Sequence, residues 1–293
     1  MKALSSTLSD VYASGCLTVA HAMRITRTDA EVFGFTSHDV DVEIDGVTYS
    51  AAQGFDASQI VTSAGFAVDN LELRTVDDGT LFTRADVLGG RWRNARFVVF
   101  RYNWESPEDG LEYLLAGTFG EVRLLSGQVV VELRGLQQYL QQALGNVTTR
   151  TCRARFADYP DPSVGNRCGL AASDYTEAGT VDTVTSRAVF VSTDVANSST
   201  ADWYGEGVLT WTSGANDGLS QKVRSHAANG TFTLSLPMPA GIAAGDTFTV
   251  IAGCRKRLAE DCRDKFDNVL NFQGEPHVPG VDVITAPPLP GGG

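Results

Sequence analysis

Four of the five cysteines in this chain form two pairs, and this arrangement restricts what the chain can fold into more than any other feature. Cys152 and Cys168 flank a loop, and Cys254 and Cys262 stand eight positions apart further along the chain. Cys16 lies outside both pairs. Two loop-borne pairs of sulfur ligands are what a tetrahedral metal site or an iron–sulfur cluster requires. The leading interpretation is therefore one shared metal centre.

Both cysteine segments are unusually basic within an acidic protein. The chain has a net charge of −12 and 23 lysines and arginines, and nine of these cations lie within residues 150–168 and 254–265. They are Arg150, Arg153, Arg155, Arg167, Arg255, Lys256, Arg257, Arg263 and Lys265. A centre held by four thiolates is anionic overall, so nearby cations stabilise it and lower the pKa values of the thiols. The charge pattern favours a metal centre but does not identify the metal.

The spacing of the second pair leaves three interpretations open. If residues 254–262 formed one helix, the two cysteines would be about 12 Å apart, at roughly 1.5 Å per residue, which is too far for one small cluster. A shared site therefore requires Cys254 to precede the helix, or the chain to turn back before Cys262. The alternatives are disulfides, or buried free thiols on an ordinary helix that packs one face against a core. That face would carry Leu258, Cys262, Phe266 and Leu270. No C-x-x-C occurs, so no standard zinc template matches.

Length and composition are typical of a globular protein with one large domain or two smaller ones. The chain has 293 residues, of which 43% are hydrophobic and 20% charged. No run of about 18 apolar residues occurs, so no membrane span is predicted. The N-terminus has no apolar segment typical of a secretory signal, and reduced cysteines are therefore expected. The negative charge argues against stable nucleic-acid binding, but not against a surface along which DNA slides.

The order of apolar and polar residues predicts a mainly β protein with a few short helices. Strands are predicted over 17–26, 40–44, 47–49, 97–102, 113–125, 128–133 and repeatedly between 179 and 251. Helices are predicted over 4–12, 80–88 and 135–144. Asp45-Gly46, between two alternating runs, predicts a hairpin. The expected architecture is a β-barrel or sandwich.

These patterns predict four segments. Residues 1–149 form the N-terminal β domain or domains, and 150–175 form a connecting loop with the first cysteine pair. Residues 176–252 form a second small β domain, and 253–293 form a helix or loop with the second pair, followed by a C-terminal tail. A centre shared by both pairs would fasten the two ends of the second β domain.

The sequence contains none of the common catalytic signatures. The patterns G-x-S-x-G, H-E-x-x-H, G-x-x-x-x-G-K-[ST] and G-x-G-x-x-G do not occur. Cys16 precedes a strand, and its nearest histidine, His21, lies on the apolar side of that strand, so this pair is a poor nucleophile and base. The sequence therefore predicts that the protein is not an enzyme.

Motifs in the second half resemble those of the tail-tip hub proteins of long non-contractile-tailed phages. They are RCGL at 167–170, LTWTSGAN at 209–216, AGC at 252–254 and NFQGEPHVPG at 271–280. The chain looks especially like the baseplate hub of rhodobacterial gene transfer agents, which are phage-like particles that carry host DNA. It is also similar to the tail tip protein L of lambdoid phages. The similarity covers nearly the whole chain.

This resemblance implies a cofactor and a fold. Tail-tip proteins of lambdoid phages carry a 4Fe-4S cluster held by four cysteines, which implies that Cys152, Cys168, Cys254 and Cys262 are the ligands here. Zinc is the less favoured alternative. The implied fold consists of β-barrel hub domains arranged as a ring-forming multidomain protein, in which the cluster fastens domains.

The resemblance also implies an assembly. A homotrimer in the tail baseplate, assembled in the bacterial cytoplasm, would join the distal tail protein hexamer to the central fibre, a megatron-like tail tip protein. DNA would pass through the ring during ejection without specific binding. A trimer whose chain carries two similar barrels can present pseudo-sixfold symmetry to a hexamer. The alternative function is an enzyme, either an iron–sulfur redox protein or a tail-associated cell-wall hydrolase.

Overall fold

A computed structural model describes residues 4–51, 70–76, 82–125, 128–140, 145, 147–158 and 167–278. The chain divides into two compact units, Met1–Leu144 and Gly145–Gly293. Within the described residues, the first unit contains an eight-stranded sheet and the second a seven-stranded sheet. The helices there are few and short. The prediction of a mainly β fold is therefore confirmed, whereas the finer division into four segments stays a prediction.

The N-terminal unit is built on a mixed sheet. Its strands are β1 Val19–Thr26, β2 Val32–Thr36, β3 Val42–Ile44, β4 Val47–Ser50, β5 Asn70–Val76, β6 Arg96–Asn103, β7 Leu111–Leu125 and β8 Gln128–Gly135. Its helices are α1 Ser6–Ala13, α2 Arg84–Leu88, the 3-10 turn Pro107–Asp109 and α3 Gln137–Leu140. The strand order is β3-β4-β2-β1-β6-β7-β8-β5, with β2 and β4 parallel. The predicted helices exist, although parts of the second and third predictions, 80–81 and 141–144, lie outside the described residues.

The hairpin at Asp45-Gly46 shows how local chemistry sets the register of a strand pair. Both residues have positive φ angles, 53° and 74°, which suit the twist of a two-residue hairpin and which glycine adopts without strain. β3 and β4 pair across this turn, with Ile44 opposite Val47. The predicted hairpin is confirmed. The predicted strands 113–125 and 128–133 also form a hairpin, since Leu125 of β7 pairs with Gln128 of β8, and residues 126–127 between them lie outside the described part.

The sheet of the N-terminal unit has an apolar core on each face. One core consists of Met23, Ile25, Phe35, Phe82, Trp92, Ala95, Phe97, Val99, Phe119, Val129, Val131 and Leu133. The other consists of Ala20, Ala22, Ile44, Tyr49, Phe100 and Tyr102. β1 contributes to both cores, because successive side chains of a strand point to opposite faces. The expectation that β1 has one apolar side was therefore wrong, since its alanines are buried as well.

The C-terminal unit contains an antiparallel sheet in the order β10-β11-β14-β13-β12-β15-β9. Its strands are β9 Thr176–Thr180, β10 Thr183–Ser186, β11 Val189–Val191, β12 Val208–Trp211, β13 Ser220–His226, β14 Thr231–Leu234 and β15 Thr247–Ile251. Phe190, Trp211, Phe232 and Phe248 form the centre of its core, with ring centroids 5.3 to 5.8 Å apart in five pairs. Such contacts suit aromatic rings. We call residues 176–251 the strand region.

Outside the strand region, the described residues of the C-terminal unit have little regular structure. We call residues 147–158, 167–175 and 252–278 the cysteine region. It contains a 3-10 turn at Ala172–Tyr175, a π-helical turn at Leu258–Arg263 and a second 3-10 turn at Val269–Asn271. Among the described residues of the whole chain, none of the helices has the length and hydropathy that crossing a membrane requires.

Candidate metal centre

The four paired cysteines line a single cavity in the cysteine region. Cys152 lies in the irregular segment 147–158, Cys168 precedes the 3-10 turn Ala172–Tyr175, Cys254 follows β15, and Cys262 lies in the π-helical turn. The cavity holds about 330 Å³ of empty space, its open mouth included. Apolar side chains complete the wall, namely Ala154, Phe156, Leu170, Phe266 and Phe272.

The chain between Cys254 and Cys262 is not one helix. Residues 252–257 are extended or irregular, and the π-helical turn begins only at Leu258. Lys256 has a left-handed backbone, with a φ of 67°, and this turns the chain before the helix starts. The backbone N–H of Cys262 then donates to the carbonyl of Arg257 at 3.1 Å. Cys254 therefore precedes the helix, which is the condition that a shared site requires.

The proposed helical face beyond Cys262 does not form. The π-helical turn ends at Arg263, and Leu270 is 99% exposed. Phe266 is buried, but it packs against Phe156 and Tyr175, with ring centroids 4.6 and 5.3 Å away. The alternative of a continuous helix carrying Leu258, Cys262, Phe266 and Leu270 against a core is therefore wrong. All five cysteines, including exposed Cys16, are free.

Backbone pairing holds the Cys152 segment between the two later parts of the cysteine region. The N–H of Cys152 donates to the carbonyl of Lys256 at 2.9 Å, and that of Arg153 donates to the carbonyl of Gln273 at 3.1 Å. The N–H of Gln273 points back at the Cys152 sulfur, 3.3 Å away. The Arg153 guanidinium makes two bonds to the Glu275 carboxylate, at 2.6 and 2.7 Å, and lowers the pKa of Glu275. These contacts fix the position of Cys152.

A buried carboxylate holds Cys168. Asp158 is 2% exposed, and it accepts hydrogen bonds from the backbone N–H groups of Cys168 and Gly169, both at 3.0 Å. Gly169 has a φ of 73°, which glycine adopts without strain. A buried charged acceptor is stable only when such donors reach it. Asp158 therefore fixes the backbone at Cys168 and Gly169.

Asn268 contacts one cysteine of each pair. Its side-chain Nδ2 donates to the carbonyl of Cys168 at 2.8 Å, and the Cys168 sulfur lies 3.6 Å from the same nitrogen. Its backbone N–H donates to the Cys262 carbonyl at 2.7 Å. The Cys262 thiol donates in turn to the Asn268 carbonyl at 3.0 Å. Asn268 is therefore a junction between the two pairs.

The cations of the two segments mainly form ion pairs and hydrogen bonds that stabilise the fold. Arg255 pairs with Asp202, and Arg257 pairs with buried Asp261 at 3.0 Å. Lys256 donates to the Ala154 carbonyl. Lys256 and Arg257 also line the cavity, so positive charge is present beside the sulfurs as the sequence predicted.

Lys265 ties the cysteine region to the strand region. Its ammonium donates to the carbonyls of Trp203 and Gly253 and lies 4.8 Å from the Trp203 ring centroid. Burial lowers the pKa of Lys265 to about 8, although Asp261 and Cys254 oppose this shift. Gly253 itself lies against the backbone of Gly205, where an added Cβ would be 1.6 Å from the Gly205 carbonyl oxygen. The glycine before Cys254 is therefore required by this close approach.

Deprotonation of the two thiols of the second pair, Cys254 and Cys262, is unfavourable in the absence of a metal. Burial and, after it, the charges of Cys152, Cys168 and Cys254 raise the pKa of Cys262 to about 11. Burial also raises the pKa of Cys254, which the neighbouring Lys256 partly opposes. Metal binding requires deprotonated sulfur. A positive centre would remove this electrostatic cost for both residues.

The donor set fits a group that takes four thiolates. Among the residues that the structure describes, no group of three or more His, Cys, Asp or Glu is arranged to hold a metal ion as it stands. All four sulfurs nevertheless line one cavity and interact electrostatically at Cys262. Cys152, Cys168, Cys254 and Cys262 could therefore hold a 4Fe-4S cluster or zinc once their protons are lost.

Sequence reasoning missed the residues that position the cysteines. Asp158 contacts Cys168 ten residues away, whereas Asn268 contacts Cys168 across 100 residues and Glu275 contacts Arg153 across 122 residues. The nine clustered cations were the available signal, because buried or paired cations need carboxylate partners nearby. That signal could not have identified Asn268, which is uncharged.

Comparison with known proteins adds two family matches and matches to solved structures, of which one is described below. Residues 5–171 match the family described as baseplate hub protein, N-terminal attachment domain. Residues 202–282 match the family described as phage conserved hypothetical protein BR0599. The first match includes Cys152 and Cys168, and the second includes Cys254 and Cys262.

The structural match is to a chain of a solved structure described as "Virion of native gene transfer agent (GTA) particle". That chain is 31% identical to this one with a TM-score of 0.79, and the match covers 98% of this chain and 97% of that chain. No curated protein matches the sequence significantly. Sequence and fold therefore agree with one particle-derived chain over nearly the full length of both.

Proposed function

The chain belongs to the baseplate hub proteins of phage-like particles, and from this premise we propose that three copies form a ring in the tail baseplate. The ring joins the distal tail protein hexamer to the central fibre and encloses the path of DNA ejection. The observation that carries the proposal is the likeness to a chain of a gene transfer agent virion, because it extends over 98% of this chain. Closed rotational symmetry is the usual way in which identical chains build such a ring.

Within each copy, the four cysteines hold a 4Fe-4S cluster that fastens the cysteine region. Cys152, Cys168, Cys254 and Cys262 come from three separate stretches of chain and line one cavity. A bound cluster would cross-link these stretches through iron–sulfur bonds, in a region with little regular structure of its own. Zinc held by the same four thiolates would fasten the region equally well, and would change only the cofactor.

The charge distribution supports a ring through which DNA passes without being held. The chain carries a net charge of −12, and cations in the cysteine region are engaged by carboxylates, as for Arg153, Arg255 and Arg257. Stable binding to DNA depends on lysines and arginines that neutralise phosphates. We expect weak, salt-sensitive and sequence-independent DNA binding.

The ring is tested by measuring the mass of the native full-length protein, alone and with the distal tail protein and central fibre present. The expected result is a trimer, or a trimer bound to these partners. A protein that stays monomeric with both partners and never enters particles would contradict the proposal. The proposed assembly in the bacterial cytoplasm is tested in cells that produce particles. There the protein should already be attached to tails before the cells lyse.

The metal is tested by elemental analysis of protein purified without oxygen. Iron near four atoms per chain supports the cluster, and one zinc per chain supports the alternative metal. The proposed role is structural rather than enzymatic. Peptidoglycan hydrolysis by the isolated protein, or reversible bleaching of visible absorbance coupled to substrate turnover, would favour a wall hydrolase or a redox enzyme instead.

A further inference from the structure

Asn268 is a buried polar residue placed between the two cysteine pairs, with 9% of its surface exposed. We propose that Asn268 is a positioning residue for the metal centre: its amide group fixes Cys168 in the cavity and directs an N–H at the Cys168 sulfur. This inference rests on the proposed metal centre and assigns a role to a residue that holds no metal itself.

The contacts of Asn268 separate into two sets that mutation can distinguish. Both contacts to Cys262 use the Asn268 backbone, through its N–H and its carbonyl, so any residue at this position can keep them. Both contacts to Cys168 use the side-chain Nδ2, at 2.8 Å to the carbonyl and 3.6 Å to the sulfur. The choice of asparagine therefore matters for Cys168.

A second amide fixes which way the Asn268 side chain points. Its Oδ1 accepts a hydrogen bond from Asn271 Nδ2 at 2.7 Å. If the Asn268 amide were reversed, its oxygen would face the Cys168 carbonyl and its NH₂ group would face another NH₂ group. Both contacts would then be repulsive, so the network determines the orientation. The N–H directed at Cys168 is thus set by the neighbouring side chain.

Hydrogen bonds hold the backbone of Cys168 at both its N–H and its carbonyl. Asp158 accepts from its N–H at 3.0 Å, and Asn268 donates to its carbonyl at 2.8 Å. With the backbone fixed, rotation about the Cα–Cβ bond is the main freedom left to the sulfur. This matters for metal binding because groups that orient ligands commonly change affinity by about 10- to 100-fold when removed.

Hydrogen bonds to ligand sulfur also affect an iron–sulfur cluster directly. An N–H dipole directed at a thiolate stabilises the more negative, reduced state, so its removal lowers the reduction potential. A residue that acted only by filling space would leave the potential unchanged when replaced by another of equal size. The potential therefore separates a positioning role from simple packing.

The test uses the full-length protein purified without oxygen and two variants of different chemistry. Asn268→Leu keeps the size of the side chain and removes the amide, whereas Asn268→Asp keeps the shape and replaces the NH₂ donor with an oxygen. The matched control is Leu270→Ala, which changes a neighbouring side chain that is 99% exposed and leaves the contacts of Asn268 to Cys168 and Asn271 in place. The measurements are iron and zinc content, the rate of metal loss to a chelator, and the reduction potential. The alkylation rate of Cys168 in the metal-free protein is a fourth measurement.

We expect both Asn268 variants to lose metal about 10- to 100-fold faster than wild type, with a lowered potential if the metal is iron. Cys168 should be alkylated faster in both metal-free variants, whereas the control should stay within about twofold of wild type. If the wild type binds metal and the Asn268 variants match the control in every measurement, this inference alone is overturned. If the wild type binds neither iron nor zinc, the metal-centre proposal fails and this inference fails with it.

Discussion

The strand region and the cysteine region of the C-terminal unit are held together by different forces. The strand region has an apolar core of fourteen buried side chains, all between Val181 and Val250. The cysteine region contributes none of them. It has a smaller aromatic cluster in which Phe266 packs on Phe156 and Tyr175. Backbone pairing, buried polar groups such as Asp158, and ion pairs such as Arg153 with Glu275 hold the rest of it.

The two regions should therefore depend on the proposed metal for stability to different degrees. Apolar burial supplies most of the driving force of folding, and the strand region has more of it than the cysteine region. Individual hydrogen bonds contribute only about 1 kcal/mol each to stability. A region held largely by hydrogen bonds therefore gains much stability from a cross-link. Each prediction below tests this contrast.

The largest expected effect comes from removing one ligand. Cys254→Ser should reduce bound metal to below about a tenth of the wild-type amount, because the lost thiolate cannot be replaced. Amide hydrogen exchange should then accelerate throughout the cysteine region and stay unchanged in the strand region. Cys16→Ser, which changes an exposed cysteine, is the control and should alter neither. Equal acceleration in both regions would contradict the contrast.

The next effect is confined to the strand region. Phe232 is fully buried and stacks on Phe190 at 5.3 Å, so Phe232→Ala should destabilise this region by about 3–5 kcal/mol. Hydrogen exchange of β13 and β14 at increasing urea concentration measures the loss. Leu270→Ala is the matched control, since Leu270 is 99% exposed, and it should change stability by less than about 0.5 kcal/mol.

A smaller effect is expected where the two regions meet. Lys265→Met keeps the aliphatic stem but leaves the carbonyls of Trp203 and Gly253 without their ammonium donor. The expected cost is about 1–3 kcal/mol, seen as faster exchange at the N–H groups of both regions near Gly253. If the variant were as stable as wild type, the Lys265 ammonium would contribute nothing to joining the two regions.

The smallest effect is a pH dependence within the strand region. His226 is buried, and neither ring nitrogen has a hydrogen-bond partner of good geometry. Burial lowers the pKa of His226 below 6.5, although the Thr200 backbone acts weakly in the opposite direction. Below pH 6.5 the unfolded chain therefore binds more protons than the folded chain, and stability falls as the pH decreases through this window.

His226→Phe should remove that part of the pH dependence, because phenylalanine does not titrate and can keep the contacts with Tyr204 and Phe232. Urea midpoints of variant and wild type at pH 7.5 and pH 5.5 provide the comparison. The wild type should lose more stability than the variant on acidification. An equal loss in both would mean that His226 is protonated equally in the folded and unfolded states.

Local patterns in the sequence predicted the elements that local chemistry determines. Strand alternation located β1 and β6, and Asp45-Gly46 located a hairpin, because strand period and turn conformation depend on neighbouring residues. The second core on β1 was not predicted, since Ala20 and Ala22 are small and were assigned to the polar side. Their burial depends on Tyr49 and Phe100, which are remote in sequence.

The candidate site shows the same limit. The cysteine spacing and clustered charge predicted which four sulfurs share a location, and the requirement that Cys254 precede the helix is met. The polar residues that hold them could not be predicted, because Asp158 and Asn268 act through backbone groups of Cys168 and Cys262. No residue type or spacing encodes such a contact.

The pairing of residues 149–153 with 256 and 273–275 has a mechanical consequence. The backbone N–H of Glu275 donates to the carbonyl of Thr149 at 2.7 Å. The segment between these residues, which includes the strand region, therefore begins and ends at the same place. Tension applied at residues 149 and 275 would therefore load these few cross-ties directly and bypass the seven-stranded sheet. The force needed to separate these two residues would depend on the cross-ties between them and not on the stability of the apolar core of the strand region.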